Sequence, residues 1–203
     1  MFPMCVVLSL SLVVDFLRLK QLVLKTQDID IVVSEEGMNP EYIKETIEEE
    51  DGRYYLEESR RRGANYQILY CRLPGWTADP ERCVKVDILV PPRLKIPEIT
   101  ESDAVHIDDI PVMPIFDLLV LKTQGWWDHR NSSRPDFRDK ESNDVSDVVA
   151  LLRRAKAKGV SYDDEVDEYR HSQEFMSHAL ALAKRFVVVN GRHRLWRALD
   201  FTV

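Results

Sequence analysis

The chain has 203 residues, 44% of them hydrophobic and 31% charged, which is enough for one domain or for a core with a helical appendage. Its net charge of −7 argues against holding nucleic acid by bulk positive charge and leaves only a local basic patch for such a role. Three cysteines, Cys5, Cys71 and Cys83, are an odd number at spacings that match no zinc ligand set. They read as reduced thiols of an intracellular, cytoplasmic protein, each a small buried apolar residue.

Residues 1–17 are almost wholly apolar, with Asp15 the one charge. The stretch is short for a membrane span. It also lacks the basic start and small-residue cleavage site of a signal peptide. It reads as a buried strand or helix, or as a start that departs from the ancestral gene, and no membrane partner is expected. Residues 22–33 are apolar and β-branched, broken by Asp28 and Asp30, and predict a strand. Asn39 or Ser34 caps a predicted helix from Pro40 to about Asp51, with Gly52 as its stop.

Residues 54–57 and 66–73 predict two further strands, separated by a basic turn at Arg60, Arg61 and Arg62. Residues 83–90 are the clearest strand, closed by Pro91 and Pro92, and residues 107–112 are a short extended stretch. Helices are predicted over 115–127, 143–156 (stopping near Gly159) and 174–186. The acidic run 162–170 reads as a solvated loop or helix face. A short segment with Trp196 and Phe201 ends the chain. Strands dominate 22–112 and helices dominate 113–203, within one domain spanning 1–203. That order predicts an α+β, or mixed α/β, fold: a small mixed sheet flanked by helices, with a helical C-terminal part.

Asp28 and Asp30 are two apart on a strand, so their carboxylates share one face while Ile29 and Ile31 turn to the other. Two adjacent carboxylates repel unless a cation lies between them, and a hard oxygen-seeking ion such as Mg²⁺ or Mn²⁺ resolves the conflict. In the strand 84–90, Val84, Val86, Ile88 and Val90 form a core face, which leaves Lys85, Asp87 and Leu89 on the other. If this strand lies beside the first, Asp87 completes a three-carboxylate cluster of the kind that supports in-line phosphoryl transfer. The plainer alternative is that acids at wet strand ends simply face solvent.

The runs KTQDIDIVVSEEG, RYYLEESRRRGANYQILYCRLPG, CVKVDILVPP, IPVMPIFDLLVLKTQGWWDHR and NDVSDVVALL resemble fungal proteins of the nucleotidyltransferase superfamily. More loosely, they are similar to the toxin-type nucleotidyltransferases of the AbiEii kind. The likeness covers roughly residues 24–156, and the ending from Trp196 to Phe201 also looks similar. It implies an Asp-x-Asp pair ending a strand, with Asp28 and Asp30 as metal ligands and Asp87 as the third, catalytic acid. It further implies a Lys on a later helix that binds nucleotide, best matched by Lys122, and an acid at Asp144 or Asp147.

The family's Gly-Gly or Gly-Ser turn ahead of the pair, which grips phosphates through backbone N–H groups, has no counterpart: no glycine precedes Gly37. The resemblance therefore supports two expectations. One is transfer of a nucleotidyl group from a nucleoside triphosphate such as ATP to a hydroxyl on a protein, RNA or small molecule. The other is a catalytically degenerate copy that binds nucleotide or protein.

Simpler explanations exist for the remaining candidates. Lys122 lies on an apolar helix face where its stem can cover the core. Asn143 or Asp144 can cap a helix. The run from Trp126 to Arg130, followed by Arg134 and Arg138, mixes bases and aromatics as a nucleic-acid surface does, or as a packed helix end does. No zinc, P-loop or nucleophile-elbow motif is present in the sequence.

Overall fold

The computed structural model describes residues 6–8, 28–33, 37–61, 63–72, 83–91, 95–97, 99–100, 102–107, 110–167 and 171–203. The chain divides into two compact units, Met1–Met113 and Pro114–Val203. The fold is α+β, a mixed sheet with helices.

In the first unit the strands are β1 (Val6–Leu8), β2 (Asp28–Val33), β3 (Tyr54–Glu58), β4 (Gln67–Arg72), β5 (Cys83–Leu89), β6 (Val105–Ile107) and β7 (Ile110–Val112). They form one sheet in the order β3-β4-β5-β2-β1-β7-β6. The β2–β5 and β1–β7 pairs are parallel and the others antiparallel. The short extended stretch expected near 107–112 is the second half of a hairpin that begins at Val105.

Helix α1 (Pro40–Glu50) starts where the chain supplies both an acceptor and a missing donor. The Asn39 side chain accepts from Glu41 N at 3.0 Å, and Pro40 has no N–H to satisfy. Ile43 and Ile47, one turn apart, then point the same way onto the sheet. There they pack on Val33, Leu69, Cys71, Val86, Ile88 and Val90, with Ile29, Ile31, Tyr54 and Leu56 around them. Period-two alternation and the strand registers together put these strand residues on the same side. The exposure pattern of β5 alternates strictly between buried and half-buried.

Glu41 and Lys44 fasten the helix to the sheet. Glu41 Oε2 accepts from Gln67 N at 3.0 Å, and Lys44 Nζ donates to both Glu41 Oε1 and Gln67 O at 2.7 Å. One backbone residue at the start of β4 is thereby satisfied on both sides.

The second unit contains α2 (Ile115–Arg130), α3 (Pro135–Arg138), α4 (Glu141–Ala157), α5 (Tyr162–Asp167), α6 (Gln173–Asn190) and α7 (His193–Arg197). Glycines in the left-handed region end two of them, Gly159 after α4 (φ +73°) and Gly191 after α6 (φ +69°), where a side chain would strain the backbone. The core is aromatic. Trp126 meets Phe186 edge-on at 4.8 Å, and Trp196 meets Phe201 edge-on at 4.9 Å. Inside this unit His171 Nε2 lies 3.2 Å from Asp117 and 3.3 Å from Glu165, with His171 and Asp117 at 2% and 1% exposure. Residues 162–167 of the acidic run form a helix, α5, and one of its acids, Glu165, turns inward. Among the described residues no helix is long and apolar enough to cross a membrane.

Candidate functional site

The face of the sheet away from α1 carries the acids. In the parallel β2–β5 register Asp30 stands opposite Asp87, and Asp28 opposite Lys85. Neighbouring strands are about 4.8 Å apart, so facing carboxylates on the same side converge. Asp30 and Asp87 are thus brought together as the alternation requires. Both are half-buried, Asp87 with 38% of its side chain exposed. For Asp28 the backbone placement is described and the side chain is not. β2 runs on through Val33, so the pair opens the described strand instead of ending it.

A cation already lies among these groups. Lys85, two residues before Asp87 on the same face, pairs through Nζ with Asp87 Oδ2. The alternation of β5 placed Lys85 beside Asp87, and the pairing follows from that placement. Further along the same face, beyond β5, Tyr55 and Tyr70 stack across β3 and β4 with centroids 5.5 Å apart. Tyr70 is the register partner of Lys85. The Arg72 guanidinium covers the Tyr55 ring at 4.2 Å and donates to Gly52 O at 3.0 Å. Burial, with the Cys83 thiol alongside, pushes the Tyr55 phenol up to about 12. Composition gave no hint of this aromatic pair, because it depends on strand register.

Two convergent carboxylates with oxygen donors only suit a hard cation such as Mg²⁺ or Mn²⁺. Among the described residues no group of three His, Cys, Asp or Glu is placed to hold one, and the Asp28 side chain is outside that set.

Lys122 lies in the second unit, half-buried on α2. Asp144 pairs with His129 Nδ1 at 2.7 Å. In the base-and-aromatic segment Trp126 is fully buried, Arg130 pairs with Glu141, and Arg134 pairs with Asp136. The Arg185 guanidinium lies 4.8 Å from the Trp127 ring. Several cations of that segment are therefore already engaged within the unit.

Neither a protein family nor a curated protein matches the sequence. Among solved structures the fold is similar to that of an antigenic nucleotidyltransferase-like protein from Paracoccidioides brasiliensis, at a TM-score of 0.60 and 14% identity, over 98% of this chain and 86% of that one. At that identity the likeness is one of fold, and the fold is nucleotidyltransferase-like.

Proposed function

We propose that the chain is a metal-dependent nucleotidyltransferase that moves a nucleotidyl group from a nucleoside triphosphate to a hydroxyl acceptor on a protein, RNA or small molecule. The observation that carries this reading is the parallel register setting Asp30 opposite Asp87, within a nucleotidyltransferase-like fold. Asp28, Asp30 and Asp87 would hold Mg²⁺ or Mn²⁺. When bound, the ion would offset triphosphate charge and make the acceptor hydroxyl more acidic. The acceptor oxygen would bond to the α-phosphorus as the bond to pyrophosphate breaks. Asp87, on the strand beside the D-x-D pair, would take the hydroxyl proton.

Transfer of label from α-³²P-nucleoside triphosphates to protein, RNA and small-molecule acceptors tests the proposal. Asp87→Asn should abolish it while the far-ultraviolet circular dichroism stays unchanged. Full turnover by Asp87→Asn would show that another group takes the proton.

A second reading is favoured by the Lys85–Asp87 pair, which neutralises the third acid from within the chain. It suits a degenerate copy that keeps the fold to bind nucleotide or a protein. Nucleotide binding without any transfer, in the same assay, would select this alternative.

A further inference from the structure

We propose that Lys85 is an exchangeable counter-cation: it holds the Asp87 carboxylate before a divalent ion arrives, then gives it up and turns to the phosphates of the nucleotide. The proposal rests on the reading of Asp28, Asp30 and Asp87 as a metal and nucleotide site.

Three observations lead to it. Lys85 lies among the acids by register as well as by sequence, opposite Asp28 on one strand and paired with Asp87 on its own. Its side chain is 35% exposed and that of Asp87 is 38% exposed, so the pair can open without unpacking a core. On this face the described strands β2 to β5 carry one other cation, Arg72. It is engaged with the Tyr55 ring and Gly52 O, and stands opposite Cys83, four residues from Asp87. That is about 13 Å along the strand. Among the described residues of these strands, Lys85 is therefore the cation beside the acids.

A divalent ion on the same carboxylates would stand a few ångströms from the ammonium, and two positive charges that close repel strongly in a half-buried site. The ammonium sits on a flexible four-carbon stem, whereas the carboxylates are on short side chains fixed to the sheet, so the lysine is the group that moves. A triphosphate brought in with the ion places anionic oxygens beside it, and lysine binds phosphate as a point charge. Lys85 would then oppose the metal when the metal is alone and support the nucleotide when both are bound. A lysine that merely props the fold would do neither.

The test uses the full chain. Mn²⁺ binding is followed by the electron paramagnetic resonance of the free ion, and binding of α,β-methylene-ATP is followed at saturating Mn²⁺ by calorimetry. Lys85→Met should bind Mn²⁺ roughly tenfold more tightly than the wild type and the analogue roughly tenfold more weakly. Lys85→Arg, which keeps the charge, should stay close to the wild type in both. Unchanged affinities in Lys85→Met, or a loss of both together, would overturn the proposal. Lys85→Gln, measured in the same way, decides the matter if the methionine variant does not fold. Absence of both Mn²⁺ and analogue binding in the wild type and in every variant would instead remove the metal-and-nucleotide reading on which the proposal stands.

Discussion

Asp30 lies directly across from Asp87 in the parallel pairing of β2 with β5. A one-residue slip of either strand would send one carboxylate to the face packed by α1, so the core and the acid pair are fixed by the same register. Ile31 opposite Ile88 holds the apolar side of that register, and Asp30 opposite Asp87 is its polar counterpart.

Because the acids are half-exposed, their loss should leave the fold in place. Asp30→Asn and Asp87→Asn should each change stability by about 1 kcal/mol or less. Urea midpoints compared with nucleotidyl transfer check this: activity should vanish at nearly unchanged midpoint. A large shift of the midpoint would mean that the pair is structural.

The clasp of α1 on β4 should matter more. Glu41→Ala removes the acceptor of Gln67 N and one partner of the mostly buried Lys44 ammonium. A loss of about 2 kcal/mol is expected in urea unfolding. By contrast Arg53→Ala, which opens the exposed pair with Asp51, should leave stability nearly unaltered.

In the second unit Asp117→Ala leaves His171 facing Glu165 without its more deeply buried partner. Removing one partner of a buried polar pair leaves the other unsatisfied, at a cost of about 1 to 3 kcal/mol. The unfolding midpoint should therefore fall far more for Asp117→Ala than for Asp136→Ala, whose pair with Arg134 is exposed.

High pH should also destabilise the protein through Tyr55. The phenol ionises near 10 when the chain is unfolded and only at about 12 in the fold, held up mainly by burial. Between those values the unfolded chain loses the proton while the folded one keeps it. The contribution of Tyr55 is therefore intact below pH about 10 and is lost as pH climbs toward 12. Stability measured across that window should decline less steeply in Tyr55→Phe. An identical slope would show that Tyr55 ionises freely.

Much of this was legible where local chemistry decides. Asn39-Pro40-Glu41 marked the start of α1, and the alternation of 83–90 gave both faces of β5. Gly159 marked the end of α4. The Asp30–Asp87 approach could be stated only conditionally, because strand neighbours and parallel register are set by the whole sheet. The Tyr55–Tyr70 stack joins residues 15 apart through a hairpin register, and the inward turn of Glu165 from an acidic run needed His171 as its partner. The single-turn helix α3 was missed, since four residues carry no periodicity. The first part, 22–27, of the strand expected over 22–33 and most of the apolar start lie outside the described residues, although Val6–Leu8 pairs with β2 as a short strand.

The measurement that bears most directly on the central claim is thermal unfolding of the wild type and of Asp30→Ala/Asp87→Ala during titration with MgCl₂ at fixed ATP. A ligand that binds only the folded chain adds about 2.7 kcal/mol at a hundred times its Kd. The account predicts a rise in Tm of several degrees that needs both Mg²⁺ and ATP and disappears in the double variant. A wild-type Tm that ignores both ligands, or an equal rise in the double variant, would contradict it.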